Sequence, residues 1–561
     1  MLARHLVTIL ALLCATVPDA RAQNILYVQE DLGTGAGDGS SWEDAYSGSS
    51  GLQSALVAAA PGDEVWVAEG TYLPTGTFPQ CSAFSVWSRD VTVRGGFAGT
   101  ETDLSERPEV GAVETVLSGD HLRNDDGSAA SLTDNSAYVI FANVGTTFER
   151  LTLERSGASQ DCFSVPPGAS AVRSVVPFQM VDCTIRDCAS SGVMFAAGSA
   201  PGSGAEFARC TFARCGIAMD VTAREQAVIV DGCRFEFCGS GMRMLGWSSA
   251  TVIQNSSFRR CSTWAISFSP INYDSPTATI DHCTIVDNGA PAIRYSDTLF
   301  VNEEATVRNS IVWSNGTPLG GAAVPQVSGL ILVEDSIVEG APPGAGVFDA
   351  DPLFVNAVAG DFALQPGSPA IDRAYGTVAD ASAFDLVGAR RAVDDPATPN
   401  AGTGAIDFVD LGALEFTTDL GSYAGCEAVP NSTGRPGRIR ATGSLDVADL
   451  DLTLRAEDLP PQQFGIFLAS RRAGLAPMAG GLGTLCLGGN VGRFNAPGQI
   501  LSSGLGGAFA LTVDLGAIPE LAGLVAVQPG ETWRFQAWHR DFVSGVGTTS
   551  NLTDRATLGF E

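Results

Sequence analysis

The chain of 561 residues is long enough for two or three domains, and its 62 acidic residues stand against 32 basic ones, every one of them arginine. A net charge of −30 disfavours nucleic acid, anionic membrane surfaces and polyanionic substrates, unless bound calcium or a local arginine cluster reverses the field. A hydrophobic content of 45% with 65 glycines describes a foldable, turn-rich chain rather than a disordered one.

Residues 1–22 read as a secretory signal peptide: Arg4 and His5, an apolar run from Leu6 to Val17, then Ala20-Arg21-Ala22 before Gln23. An exported, secreted chain meets an oxidising compartment. Cys14 lacks the small preceding residue of a lipoprotein anchor, and no later run is long and apolar enough to span a membrane. Four cysteines lie outside the repeats described next, and Cys81 is expected to pair with Cys162 and Cys426 with Cys486.

The stretch 24–72 holds an apolar helix candidate that ends at Pro61-Gly62, a suitable lid for the first open coil of a solenoid. Ser156 to Arg173, with two prolines, reads as a projecting loop. From Met180 to about Ser314 one phrase then recurs. It places Cys183, Cys210, Cys233, Ser256, Cys283 and Ser310 in one column, at intervals of 27, 23, 23, 27 and 27 residues. Two places on, Ile185, Phe212, Phe235, Phe258, Ile285 and Val312 form an apolar column between polar neighbours, which is strand alternation. Cys188, Cys215, Cys238, Cys261, Asn288 and Asn315 follow at an odd offset, so a bend must intervene. Three short strands in roughly 25 residues make a coil.

Coils of this length, with thiols or small polar residues stacked at a bend, resemble the right-handed parallel β-helix of the pectin-lyase-like superfamily. Tyr27, Trp42, Pro61, Asp63, Gly70, Thr71 and Tyr72 stand where exported bacterial members of that group carry their amino-terminal cap. The resemblance implies fold before function. The leading expectation for the cysteine columns is buried, unbonded thiols that serve as small apolar residues; inter-coil disulfides and a metal site are the alternatives.

After the repeats, Asp351-Pro352, Phe354, Asp361-Phe362, Gly367-Ser368-Pro369-Ala370-Ile371-Asp372, Gly388, Arg390 and Asp410-Leu411-Gly412-Ala413 with Glu415 resemble the choice-of-anchor Q domain. Leu414 replaces its usual aromatic and Arg373-Ala374 its usual glycine. From about Thr418 the column phrases give way to alternating strands between Gly and Pro turns, which predict an antiparallel β-sandwich. The expected fold class is all-β: a signal peptide over 1–22, a parallel β-helix with its cap and anchor-Q-like end over 23–417, and a β-sandwich over 418–561.

Pectin-lyase-like enzymes use clustered aspartates with histidine, or a lysine or arginine base. This sequence has no lysine, the doublets Asp125-Asp126 and Asp394-Asp395 have no histidine nearby, and the mature histidines are His121, His282 and His539. No residue is nominated as catalytic. Asp182, Glu236, Asp281 and Asp287 alternate with Arg186, Arg209, Arg234 and Arg259, which reads as a solvated, salt-bridged surface, and His282 is expected to face outward there. Trp247, Trp264, Trp313, Tyr273 and Tyr295 lie in or near repeat strands. Core or turn packing is the first reading for them; an aromatic strip for glycan stacking, centred on Trp264, Trp313 and Tyr295, is the second. No cofactor is expected; Ca2+ stays open, but neither 38–45 nor 446–452 fits a known calcium loop.

The expectation is therefore a non-catalytic exported protein with an acidic surface, at the cell surface or in the matrix, that binds polysaccharide or other surface components. A polysaccharide lyase or glycoside hydrolase on a neutral or weakly charged polymer is the rival, and a purely structural surface component is the third reading.

Overall fold

The computed structural model describes residues 23–561 apart from 32–34, 77, 89, 127–130, 158–168, 197–203, 223–226, 246–250, 270–277, 290, 297–304, 317–324, 382, 479 and 544–546. The expected signal peptide, Cys162, Trp247 and Tyr273 thus lie outside the described residues. Three parallel sheets of twelve, ten and nine strands run side by side. The first extends from Tyr46–Ser47, beside Ile25–Gln29, to Ile331–Glu334, the second from Gly70–Tyr72 to Ile337–Val338, and the third from Phe84–Val86 to Val327–Ser328. One coil gives one strand to each in turn, as in Gln179–Val181, Thr184–Arg186 and Ser191–Phe195. The helix Gly51–Ala58 buries Leu52, Ala55 and Leu56 against the first coil, where it covers apolar surface that an open coil would leave wet.

The register stacks like on like. Ile185, Phe212, Phe235, Phe258, Ile285 and Val312 are successive partners in the second sheet. Phe212, Phe235 and Phe258 stack with ring centroids 4.9 and 4.3 Å apart and planes within 3°. These rings share one continuous core with the inward residues of the other two sheets, among them Met180, Val193, Phe207, Met219 and Ile266.

Two corners flank each second-sheet strand, and each is made by one residue with positive φ. Before the first column stand Asp182, Arg209, Gly232, Asn255, His282 and Asn309; before the second stand Asp187, Arg214, Phe237, Arg260, Asp287 and Ser314. A left-handed residue breaks the period of two, which is why the second column lies at an odd offset yet still points inward.

The bend leaves the column N–H groups buried and in need of partners. Seven of them, at Cys210, Cys215, Cys233, Cys261, Cys283, Asn288 and Ser310, are met by the side chain of the next coil's column residue. Cys233 donates to Ser256 Oγ at 3.1 Å, Cys283 to Ser310 Oγ at 3.1 Å, Ser310 to Ser336 Oγ at 3.1 Å and Cys210 to Cys233 Sγ at 3.4 Å. In the second column Cys261 donates to Asn288 Oδ1 and Asn288 to Asn315 Oδ1, both at 2.9 Å. Six of the thiols, those of Cys183, Cys210, Cys215, Cys233, Cys238 and Cys283, also point a donor at a carbonyl of the preceding coil, as Cys210 does to Met180 O and Cys233 to Phe207 O. Cys, Ser and Asn interchange because each carries a short acceptor and a donor on one stem. The eight column cysteines are all buried and unbonded.

Ser170–Ser174, inside the expected projecting loop, is a third-sheet strand; its serines hid an alternation that only neighbouring coils reveal. Residues 350–417 are irregular, with two small strand pairs, Phe354–Asn356 with Asp361–Leu364 and Tyr375–Gly376 with Thr403–Gly404. They fold back on the outer face of the last second-sheet strands, where Leu364, Ile371, Val409 and Leu411 cover Ile311 and Ile337. Gly412 has φ +93°, and a Cβ there would meet Ile311 Cδ1 at 2.8 Å and Thr284 Oγ1 at 2.9 Å, so close approach to the sheet demands glycine.

The carboxy-terminal domain has one antiparallel sheet of Arg438–Gly443, Leu452–Glu457 and Phe509–Thr512, and a second built on Phe464–Ser470, Thr532–Val543 and Gly547–Gly559. Ile439 and Leu454 of one meet Phe467, Phe535 and Leu558 of the other in a common core, which is a sandwich. Cys426 and Cys486 are disulfide-bonded.

Two outcomes follow. Asn288→Ala removes a side chain that accepts from Cys261 and donates to Phe258 O and Val286 O, so it should cost about 2 to 4 kcal/mol in urea unfolding, whereas Cys210→Ser should stay within about 1 kcal/mol. The disulfide closes a separation of 60 residues, so a Cys426→Ser/Cys486→Ser double variant should destabilise the sandwich by up to about 4 kcal/mol, read as a lower melting temperature of its transition.

Candidate functional site

The three outer faces of the coils differ in what they leave available. The second-sheet face is largely occupied by the chain itself: Arg259 donates to Ala359 O and Val358 O at 3.2 and 2.7 Å, and Ala413 N–H donates to Thr284 Oγ1 at 2.9 Å. His282, expected at the surface, is only 5% exposed. It stands at the corner before the first column, where a segment a hundred residues later lies over it, and local periodicity could not reveal that cover.

Along the corners, charges pair between successive coils. Arg209 grips Asp182 through Nε and Nη2 at 2.7 and 3.0 Å, Arg214 grips Asp187 at 2.6 and 2.8 Å, Arg260 meets Asp287 at 2.8 Å, and Arg308 meets Asp281 at 2.6 Å. Burial opposes the charge of Asp281, yet the hydrogen bonds and charges of His282 and Arg308 hold its carboxyl down at about 2. Asp281 is therefore a poor general acid, because a general acid must hold its proton near the working pH.

The third-sheet outer face carries a polar stripe that the sequence reading missed. Register aligns Arg173, Met194, Asp220 and Arg243 on successive strands, and then Ser267 and Arg294. Arg173 and Asp220 are each 6% exposed. Arg173 lies over the Tyr138 ring, and Arg243 grips Asp220 through both Nε and Nη2. Arg294 is exposed, with its guanidinium 5.8 Å from the centroid of Trp264. The half-buried Trp264 has an indole N–H with no partner. The signal was the alternation of Val172-Arg173, Met219-Asp220, Met242-Arg243 and Ile293-Arg294, legible only once the third strand is in register.

The other two aromatics of the expected strip are placed differently. Tyr295 is 2% exposed inside the coil with its ring on Phe268, so it cannot stack on a sugar. Trp313 packs among Ile311, Ile337 and the covering segment. Both placements follow the first reading, packing, rather than the second, glycan stacking.

Each of the two aspartate doublets has a member with a structural partner. Asp125 accepts from Asn135 Nδ2 at 2.9 Å, burial raises its pKa, and its neighbour Asp120 pairs with Arg155. Asp395 accepts the Thr398 hydroxyl at 2.7 Å. Among the described residues no group of three or more His, Cys, Asp or Glu is arranged to hold a metal ion. In the sandwich, a groove of about 550 Å3 is lined by Arg493, Asn495, Gln499, Asp514, Glu520 and Leu524 among others.

Residues 170–337 match the family model for the right-handed β-helix region. No curated protein matches the sequence. Among solved structures, a pectate lyase, Pel9A, aligns with 14% identity and a TM-score of 0.41 over 70% of this chain and 97% of its own. Tailspike protein 2 of Escherichia coli O157:H7 bacteriophage CAB120 aligns with 9% identity and a TM-score of 0.22, over 91% of this chain and 65% of its own. The Dettilon tailspike protein gives 9% and 0.20, over 95% and 94%. Three parallel sheets wound coil by coil, together with the match over 170–337, give this chain a right-handed parallel β-helix ahead of its antiparallel carboxy-terminal sheets.

Proposed function

We propose that the protein is an exported, non-catalytic β-helix that binds neutral or weakly charged glycans of a cell surface or matrix through its third-sheet stripe. Residues 350–417 act as a choice-of-anchor-Q-like end piece, and the sandwich acts as its attachment module. The observation that carries this reading is the pairing of coil-face carboxylates with arginines of adjacent coils, as in Asp182–Arg209, Asp187–Arg214 and Asp281–Arg308. Cleavage by a glycosidase needs one carboxyl that keeps its proton and a second, about 5 to 9 Å away, that does not. Asp281, with its carboxyl held at about 2, supplies only the second kind. Trp264 with Arg294 offers a ring face next to a fan of donors, which suits a sugar's apolar face and its hydroxyl edge.

A panel of polysaccharides, assayed for binding, for new reducing ends and for unsaturated products with and without Ca2+, tests this. The expected result is binding without turnover, weakened about tenfold or more, about 1.4 kcal/mol, by Trp264→Ala and by Arg294→Ala, with folding unchanged. Turnover abolished by Asp281→Asn would instead establish a lyase or hydrolase, and the absence of both binding and turnover would leave a structural surface component.

A further inference from the structure

Residues 350–417 cover the second-sheet face with an unusual set of polar groups. Asp372, Asp410 and Glu415 are buried, and Asp385 nearly so. They organise an irregular backbone: Asp410 accepts the N–H groups of Asp372 and Phe416 at 2.7 and 2.5 Å, and Glu415 those of Val393 and Asp410 at 3.1 and 3.3 Å. Asp385 accepts from Val387, Ala389 and Glu415. One buried cation sits among them. Arg391 ties Gly412 O and Ala413 O to Asn255 Oδ1 of the coil at 2.9, 3.2 and 2.7 Å, and its closest carboxylate is Glu415 at 3.7 Å.

Other charges bear on the cluster from every side. Asp394, Asp395 and Asp407 face Asp372, all of the same sign. From the coils, Arg234 faces Asp385, and the His282–Asp281 pair lies near Arg391 and Asp380. Four buried carboxylates against one buried guanidinium is an excess that a low-dielectric interior does not tolerate fully ionised. Asp372 shows where a proton fits: its Oδ2 accepts the Asp395 N–H at 3.3 Å, while its buried Oδ1 has no partner among the described residues.

We propose that residues 350–417 form a proton-operated latch over the second sheet, closed when the Asp372–Asp410–Glu415 cluster holds protons and loosened when it ionises. Burial, with Asp394, Asp395 and Asp407 nearby, raises Asp372 to about 6, burial raises Asp410 to about 7, and burial with the charge of Asp410 pushes Glu415 well up. Folded values above the ordinary ones mean that the docked segment binds protons that a detached one releases. Its docking is therefore strongest below about pH 4 and weakens as pH rises through 6 to 7, which uncovers Thr284, Ile311 and Trp313.

Hydrogen exchange of the full-length protein at pH 5.5 and 8.0, normalised at each pH to the unstructured rate, tests the latch. Peptides spanning 370–376 and 408–416 should lose about tenfold or more in protection at pH 8.0, the factor for one unit of pKa, while second-sheet peptides spanning 211–213 and 234–236 keep theirs. Asp372→Asn, which places an amide on the unpartnered side, should flatten the dependence. Equal protection of 370–376 and 408–416 at both pH values, or a loss shared with the second-sheet strands, would overturn the proposal, and the wild-type profile decides this even where the variant does not fold.

Discussion

The structure depends on a hydrogen bond between neighbouring corners. A parallel coil that turns twice around each second-sheet strand strands a buried N–H at each turn, and at seven of the described turns the side chain of the corresponding residue one coil on meets it. Cys210 to Cys233, Cys233 to Ser256, and Asn288 to Asn315 are successive instances. Once that bond is required, the coil register is fixed, because a slip of one residue would turn every inward side chain out. The stacked Phe212, Phe235 and Phe258 rings follow from the same register.

The same repetition settles the surface electrostatics. Each rung stands about 4.8 Å from the next, close enough for an arginine to reach an aspartate one coil away, so Asp182–Arg209 and Asp187–Arg214 repeat at both corners of one pair of coils. A strongly acidic chain thereby stays stackable: carboxylates along a like-charged column would repel, and arginines placed every few coils relieve it. The cover over residues 350–417 works differently. It has no period, so its backbone is held by individual carboxylates at Asp385, Asp410 and Glu415, which explains why its Asp, Gly and Glu positions stand out in an otherwise irregular segment.

The repeat was legible in the sequence because it is local and periodic: the cysteine column, the apolar column two places on and the odd offset of the second column each map onto a strand or a corner. The helix Gly51–Ala58 was legible from its apolar run and its Pro-Gly end. What could not be read was whatever depends on distant chain lying over the coils. His282 stands at a corner, and Trp313 and Arg259 occupy outward register positions, yet all three are enclosed by residues near 358, 391 and 409. For Tyr295 packing is the first reading but stacking stays open, since a three-residue strand, Ile293–Tyr295, offers too little alternation to say which end faces in. The stripe from Arg173 to Arg294 escaped notice because its members sit at unequal sequence intervals and become neighbours only in the third sheet.

The account rests on rungs of constant height carrying equivalent residues along one axis. Spin labels at outward first-sheet positions measure this directly, since Glu206 is succeeded in register by Ile229, Val252, Thr279, Thr306 and Leu332, and the column cysteines are buried away from the label. Dipolar distances from position 206 should be centred near 19 Å to 306 and near 24 Å to 332, growing by about 4.8 Å per rung. Distances that do not rise in equal steps, or that collapse to one value, would contradict the stacked solenoid.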